Sequence, residues 1–408
     1  MMTTRLRAVA ATALFVVAAS ACGVDEADAS AGRTLVESSS TTSISTTPTT
    51  VGPMSATSMS STSSSTTSTT TSSTTSTLPP VDATTWIADS APTVIPVYDT
   101  AWQLFALATP EEANGYFAAL ADYGFSGAWA AVLHHEPATL ADNFAGGGRM
   151  GEVNSDGYIA LDEEYIQRVV DILDAAHANG MKVGVVPAWQ NLYLPGGASD
   201  AGNAASDEVR GSINETNAWA FGRQIAEAIG SHPGVSMWVF GGDASSNNTE
   251  DNKAIWRLVA NGIKSTGNEH RIAYHSPTAV HDQNNYAGEW WLDVAAPQTG
   301  HTQTSDAAQL QLEASRGAYG VPVWSGESRY FNIDFDWIPA AFRNPGVNEM
   351  RNDALAAEAA AVEGFVYGDA GRWRWCRPGG DLTPCSRDDI GASFGAAERA
   401  VVDVFRTP

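Results

Sequence analysis

Lysine is scarce in this chain. Of 408 residues, 22 are Lys or Arg and 46 are Asp or Glu, which gives a formal net charge of −24 at pH 7. The lysines, Lys182, Lys253 and Lys264, lie far apart. A protein that binds nucleic acid neutralises phosphates with clustered basic side chains, and binding to anionic lipid headgroups needs similar clusters. The composition therefore excludes nucleic acid as a partner and is typical of an acidic domain that works outside a cell.

Histidine is absent after His301. Residues 391–395 fit the G-x-S-x-G pattern of serine hydrolases, but that fold needs a histidine after the serine. No P-loop and no H-E-x-x-H motif occurs, so we expect neither a cofactor nor a metal. A metal hydrolase stays open as an alternative, because folding could bring Asp243 together with four histidines, His134, His135, His275 and His301.

Long apolar runs are also missing, apart from one near the start. Arg5 and Arg7 form a short positive region at the start of the apolar run Leu6–Ala19, which is too short to span a bilayer and is typical of a secretory signal. The sequence Ala19-Ser20-Ala21-Cys22 resembles the bacterial lipoprotein signal. The resemblance implies that residues 1–21 are removed and that Cys22 carries lipid on the outer face of the bacterial cell membrane. An ordinary secreted protein is the alternative.

A tract dominated by Ser and Thr follows, from Ser38 to Pro80, with almost no charged or apolar residues. Such a segment cannot bury enough apolar surface to offset its ordering entropy. We therefore predict a disordered Ser/Thr-rich tether over residues 22–83 that holds the remaining chain, residues 84–408, away from the membrane. This remainder is long enough for one large α/β domain.

Eight short apolar runs alternate with helical patterns in residues 84–408. The runs are nearly continuous rather than alternating, which is typical of parallel strands covered on both faces. Eight strands alternating with helices predict a (β/α)8 TIM barrel, with a doubly wound open sheet as the alternative. The runs are Val94–Tyr98, Gly127–Leu133, Met181–Pro187, Val235–Phe240, Arg271–Tyr274, Leu292–Ala296, Pro322–Trp324 and Gly364–Tyr367.

Polar and aromatic residues follow the end of each predicted strand. Active sites of such barrels lie at the carboxyl ends of the strands, so we expect these residues to surround one pocket. Four indoles are candidates for stacking on sugars: Trp102, Trp189, Trp290 and Trp291. The expected contacts to a substrate are Asp99, Trp102, His134, Trp189, His275, Gln298, His301, Arg329 and Tyr367.

Taken in order, these strand-end motifs resemble the apiosidase-like glycoside hydrolases. The motifs are Asp99–Trp102, Pro187–Trp189, Ser231–Gly234 with Trp238–Asp243, Tyr274–Pro277, Trp291–Asp293 with Gln298–His301, and Pro322–Glu327. The resemblance implies a retaining (β/α)8 glycosidase with Asp243 as acid/base and Glu327 as nucleophile. Two positions depart from the family pattern, since Ser328 follows Glu327 in place of proline and the last strand ends in Tyr367–Ala370.

The chemistry of the two carboxyl groups suits this assignment. Retaining hydrolysis needs them about 5 to 5.5 Å apart, one protonated and one ionised. Two glycines before Asp243 allow a sugar to approach closely, and the charge of Arg329 would help to keep a nearby carboxylate ionised. The expected partner is therefore a polysaccharide or oligosaccharide. A catalytically inactive barrel that binds glycan at the cell surface is the alternative function.

Cys376 and Cys385 lie after the signal and therefore in an oxidising space if the chain is exported. We predict a disulfide between them that closes the loop after the last strand. Two free buried thiols are the alternative. We expect a monomer.

Overall fold

The computed structural model describes residues 94–133, 149–189, 192, 212–242, 250–276, 286–376 and 389–406. All of them belong to the unit Asp82–Pro408. The predicted signal, the tether and Cys22 lie outside these residues and stay predictions. None of the described helices is long and apolar enough to cross a bilayer.

Eleven strands are numbered in chain order: β1 (Val97–Thr100), β2 (Gly127–Leu133), β3 (Gly151–Val153), β4 (Ile159–Leu161), β5 (Lys182–Ala188), β6 (Val235–Gly241), β7 (Ile272–His275), β8 (Val294–Ala295), β9 (Trp324–Ser325), β10 (Tyr330–Phe331) and β11 (Gly364–Asp369).

Eight of these strands form a nearly closed parallel barrel. Hydrogen bonds link them in the order β11, β1, β2, β5, β6, β7 and β8, while β9 pairs with β11. Two isolated bridges, Ala295 to Val323 and Gln298 to Glu327, connect the two remaining edges. Each of the eight apolar runs overlaps one of these strands, so the (β/α)8 prediction is confirmed and the open sheet is wrong. The hairpin β3–β4 and the short strand β10 were not predicted.

The described helices are α1 (Leu104–Leu107), α2 (Pro110–Tyr123), α3 (Glu163–Ala178), α4 (Ala218–Ile229), α5 (Glu250–Lys264), α6 (Ser305–Tyr319), α7 (Val347–Ala359) and α8 (Ala396–Arg406).

Local capping signals set several helix boundaries. Thr109 and Glu112 form a reciprocal capping box that starts α2, and the Asp162 carboxylate accepts backbone N–H bonds at the start of α3. Helix α7 begins at Val347, where the Glu349 side chain accepts the backbone N–H of Gly346 at 3.0 Å.

Side chains alternate between two cores along the barrel strands. The outer core packs the strands against the helices, and the inner core fills the barrel. On β1 the inner core takes Tyr98 and the outer core takes Val97. Tryptophans supply much of the inner core, namely Trp102, Trp129, Trp189 and Trp324.

Glycines make room for the inner aromatic rings. Trp129 lies beside Gly184 in register, and Trp324 lies beside Gly364. A Cβ atom on Gly184 would lie 2.4 Å from the Trp129 ring, and one on Gly364 would lie 2.2 Å from the Trp324 ring. The two indole rings therefore occupy the space that a side chain at the neighbouring glycine would fill. This allows wide rings to fit into a closely packed barrel.

Candidate active site

Glu327 lies just after β9, at the carboxyl end of the seventh barrel strand. Its backbone pairs with that of Gln298, which follows the neighbouring strand β8. The preceding residue must be glycine, because a Cβ atom on Gly326 would lie 2.1 Å from the carbonyl oxygen of Ala296. This close approach brings Glu327 into the barrel mouth, where only 2% of its surface is exposed.

Four side chains surround the Glu327 carboxylate. Gln298 Nε2 donates a short hydrogen bond to Oε1, and His301 Nε2 lies 3.1 Å from the same oxygen. The Tyr330 hydroxyl donates to Oε2 at 2.7 Å, and His275 Nε2 lies 3.6 Å from Oε2. Both oxygens therefore face polar hydrogens or ring nitrogens.

These contacts determine the protonation state of Glu327. Burial by itself would raise its pKa, but the contacts with His275 and His301 outweigh burial and hold the pKa of Glu327 well below its usual range. A carboxylate in this setting stays ionised at neutral pH. It is thus a buried anion at the mouth of the barrel.

Tyr330 couples this carboxylate to the aromatic wall. Its hydroxyl accepts the indole N–H of Trp102 at 2.8 Å and donates its own proton to Glu327. Trp102 stacks on His275 with ring centroids 5.5 Å apart and meets Trp189 edge to face at 4.9 Å. The expected site residues Trp102, Trp189 and His275 therefore gather around Glu327.

The sequence model of the apiosidase-like catalytic domain matches residues 89–392. The chain belongs to the apiosidase-like family.

Solved structures similar to this apiosidase-like chain support its fold. A glycoside hydrolase family 5 protein from Bacteroides vulgatus is 19% identical with a TM-score of 0.54, over 71% of this chain and 61% of that one. A family 5 cellulase affiliated with Bacteroidetes is 15% identical with a TM-score of 0.51, over 77% and 92% of the two chains. This chain spans less than two thirds of the first of these proteins. No curated protein matches the apiosidase-like chain.

Asp99 and Tyr367, both predicted to contact substrate, lie away from Glu327. They pair in register on β1 and β11, and Tyr367 belongs to the outer core. The Asp99 carboxylate accepts hydrogen bonds from Tyr116 at 2.8 Å and from Arg372 at 3.0 Å. The Tyr367 hydroxyl donates to Glu398 at 2.9 Å. Alternation along the strand directs both side chains outward, and the prediction did not allow for it.

Arg372 is the centre of this second group, which we call the Arg372 cluster: Arg372, Asp99, Asp369, Glu398, Tyr116 and Tyr367. The guanidinium is fully buried and lies 2.9 Å from Glu398 and 3.7 Å from Asp369. Burial raises the pKa of Asp99 to about 6, although Arg372 and Tyr116 act in the opposite direction. One cation thus faces three buried carboxyl groups.

Arg329 also contacts a different partner from the expected one. Its guanidinium makes two hydrogen bonds to Asp353 on α7, at 2.9 and 2.6 Å, and a third to Ser305 at 3.1 Å. Arg329 therefore anchors the segment after Glu327 to the surrounding helices. The carboxylate that Arg329 contacts is therefore that of Asp353.

Other predicted residues lie outside the described part of the chain. They are the acid/base candidate Asp243, the substrate contact His134, and Cys385 of the predicted disulfide. The described chain reaches Gly242, directly before Asp243, where a Cβ atom would lie 2.8 Å from the Trp189 ring. Among described residues, no group of three or more His, Cys, Asp or Glu side chains could hold a metal ion.

Two of the four candidate sugar-stacking indoles lie elsewhere. Trp291 is buried in the outer core against Phe240, with ring centroids 5.2 Å apart. Trp290 is 54% exposed and precedes β8, so it does not follow a strand end. Trp102 and Trp189 follow strand ends and gather around Glu327, whereas Trp290 and Trp291 precede a strand.

Sequence reasoning missed Tyr330, which contacts Glu327 directly. Its distance of three residues from Glu327 was the available signal. The short strand β10 brings it back beside Gly368, where a Cβ atom would lie 2.0 Å from the phenol ring. Sequence reasoning also missed Trp373, which packs against the inner core.

Proposed function

We propose that this chain is an extracellular glycosidase that hydrolyses a glycosidic bond in a polysaccharide or oligosaccharide with retention. Glu327 is the nucleophile and Asp243 is the acid/base. The observation that carries the proposal is a buried glutamate, held ionised by its neighbours, at the carboxyl end of the seventh barrel strand. Barrel enzymes bind substrates at this end. A retaining glycosidase of the apiosidase-like family needs an ionised carboxylate there to act as the nucleophile.

In the first step, one oxygen of Glu327 attacks the anomeric carbon while the bond from that carbon to the leaving oxygen breaks. Asp243 gives its proton to the leaving oxygen. Tyr330, Gln298 and the two histidines keep the carboxylate deprotonated before the attack. The product of this step is a covalent glycosyl ester on Glu327.

In the second step, water attacks the same carbon and Asp243 takes the proton from that water. The ester bond breaks and Glu327 leaves as a carboxylate, which its four neighbours stabilise. Two inversions at the anomeric carbon give net retention. These two steps require the Asp243 and Glu327 carboxyl groups to lie about 5 to 5.5 Å apart.

The chain has both carboxyl side chains, Asp243 and Glu327, and this supports an enzyme rather than an inactive glycan-binding barrel. The test starts with a screen of plant and bacterial wall glycans, followed by the nitrophenyl glycoside of the released sugar. Glu327→Gln should lower kcat/KM by at least about 10³-fold on every substrate. Asp243→Asn should keep much more activity on the nitrophenyl glycoside, because a good leaving group needs little protonation.

Azide separates the two roles further. With Asp243→Ala, azide should restore turnover and give a glycosyl azide with the configuration of the substrate, because it enters where water is activated. Gln311→Asn, near the site but without contact to Glu327, is the control. Near-normal hydrolysis of glycan by Glu327→Gln contradicts the assignment, and glycan binding without hydrolysis by the unmodified chain indicates the inactive-barrel alternative.

We also propose export and lipid anchoring through Cys22, on the basis of the signal-like residues 1–22. Cys22→Ala should move the protein from the membrane fraction of the producing bacterium into the soluble fraction. Cys385→Ala is the control, because that residue lies beyond the signal. A Cys22→Ala protein that stays with the membrane would contradict the anchor.

A further inference from the structure

Residues 332–344 form a compact loop after β10, and Trp337 is exposed on it. We call this segment the Trp337 loop. The indole is 57% exposed. Its ring meets the ring of His301 edge to face, with centroids 6.1 Å apart. The Nε2 atom of that histidine lies 3.1 Å from the Glu327 carboxylate. One imidazole therefore separates an exposed indole from the proposed nucleophile.

The Trp337 loop is held firmly on both sides of the indole. Ile338, directly after Trp337, is fully buried in a small core with Ile333 and Tyr330. Arg343 donates to the side chain of Asp336 at 3.0 Å and to the carbonyl oxygen of Ile338 at 2.6 Å. The position of the exposed ring is thus fixed before any ligand arrives, which lowers the entropy lost on binding.

Asn344 closes the base of the loop. Its backbone N–H donates to the carbonyl oxygen of Ile333 at 2.7 Å, and its side chain donates to Asp334 at 2.8 Å. Asn344 adopts a left-handed backbone conformation, with φ of 49°, which Asn tolerates better than most residues. The ring of Phe335 lies nearly parallel to the indole, at 6.2 Å and 15°, and supports it from one side.

We propose that Trp337 is the platform of a second sugar-binding subsite, which holds the glycan unit beside the one that is cleaved. This inference rests on the proposed function, because it needs a glycan bound at Glu327. A flat indole with an exposed face suits the apolar C–H face of a sugar ring. Its proximity to His301 makes the platform continuous with the catalytic pocket.

The charges of the Trp337 loop restrict the class of glycan. Asp334 and Asp336 precede Trp337 in the loop, and Arg343 is the basic partner of both. Carboxylate oxygens accept hydrogen bonds from sugar hydroxyls but repel carboxylates. The subsite therefore takes a neutral sugar rather than a uronic acid.

The test measures binding without turnover. The full chain carrying Glu327→Gln is titrated with neutral arabino-, xylo-, manno- and cello-oligosaccharides, from disaccharides to hexasaccharides, and with oligogalacturonides. Adding Trp337→Ala should weaken binding of the preferred neutral series roughly tenfold, and Trp337→Phe should weaken it less. Trp290→Ala is the matched control, because it removes a similarly exposed indole from the segment before β8.

The outcomes separate this subsite from the proposed function. Equal binding by the Trp337→Ala and Trp290→Ala proteins, no binding of any neutral oligosaccharide, or tightest binding of oligogalacturonides overturns the subsite. In the catalytically intact chain, Trp337→Ala should raise KM on the longer oligosaccharide and leave kcat on the nitrophenyl glycoside unchanged. Trp337-dependent binding by a chain that hydrolyses nothing would refute the glycosidase and leave the subsite in place.

Discussion

Glu327 and Arg372 are each the centre of a buried group of polar side chains. Glu327 lies in the barrel mouth, and Arg372 contacts side chains that point outward from the barrel. In the first, four polar side chains surround one carboxylate, and the pKa of Glu327 is lowered. In the second, one guanidinium faces three carboxyl groups, and burial raises the pKa values of Asp99 and Asp369. Burial is nearly complete in both, so the ratio of donors to carboxyl groups decides the direction of the pKa shift.

This difference suggests different roles. The neighbours of Glu327 are two histidines, a tyrosine and an amide, which stabilise an anion that must react and return. The Arg372 cluster ties the end of the last strand to the first strand and to α8, because Arg372 contacts Asp99 on β1 and Glu398 on α8. We therefore expect substitutions near Glu327 to change activity and substitutions in the Arg372 cluster to change stability.

Arg372→Met should have the largest effect on stability. It leaves three buried carboxyl groups without their cation, and breaking a buried ion pair in this way costs about 3 to 5 kcal/mol of unfolding free energy. Urea unfolding at pH 7 measures the loss. The activity of each folded molecule should be unchanged. Arg399→Met, which removes an exposed arginine from α8, is the control and should cost far less.

The comparison fails if Arg372→Met lowers activity more than it lowers the folded fraction. The Arg372 cluster would then belong to the active site after all, as sequence reasoning first suggested for Asp99.

Asp99→Asn should change how stability depends on pH. In the native chain the folded Asp99 titrates with a pKa of about 6 against an ordinary value of 3.8. The folded state keeps a proton that the unfolded state releases, so this group's contribution to stability falls as pH rises from about 4 to 6.

Unfolding free energies of both proteins across this window provide the measurement. The stability of the native chain minus that of the Asn variant should fall by about 2 to 3 kcal/mol between pH 4 and pH 6. A difference that grows as pH rises would mean that the attraction of Arg372 outweighs burial.

Tyr330→Phe should lower kcat about 10- to 100-fold, because it removes a hydrogen bond to the proposed nucleophile and a charge-assisted bond contributes about 1.5 to 3 kcal/mol. Loss of this donor also raises the pKa of Glu327. The acidic limb of the kcat/KM profile on the nitrophenyl glycoside should therefore move to higher pH.

Tyr367→Phe is the matched control, since it removes a tyrosine–carboxylate hydrogen bond in the Arg372 cluster. It should lower stability and leave the pH profile in place. If the two variants shift the profile equally, the separation of the two groups is wrong.

Arg329→Lys should have the smallest effect. Lysine cannot reproduce the two-pronged contact with Asp353, so we expect a loss of about 1 kcal/mol in unfolding free energy and a drop in kcat of no more than about fivefold. Urea unfolding and steady-state kinetics measure both. Arg343→Lys, on the Trp337 loop, provides a comparison at a guanidinium farther from the nucleophile. A drop in kcat as large as that of Tyr330→Phe would mean that Arg329 acts on Glu327 directly.

Much of the barrel could be predicted from the sequence. The eight apolar runs, the cap at Thr109 and the cap at Asp162 depend on local chemistry, so they survive in the folded chain almost unchanged. The end of each strand could also be predicted, which brought His275, Gln298, His301 and Glu327 into one group. Helix α7 shows the limit, because Glu349 caps it from within a stretch that has no strong pattern.

By itself, the sequence determined the number and order of the barrel strands, and hence that Glu327 follows the seventh. It could not determine which residues of each strand face inward, because continuous apolar runs carry no alternating signal. Tertiary structure decided this: register directs Asp99 and Tyr367 outward to Arg372, while β10 returns Tyr330 to Glu327. Such contacts join residues far apart in the chain, and only the pairing of strands and the close packing around Gly326 and Gly368 fix their distances.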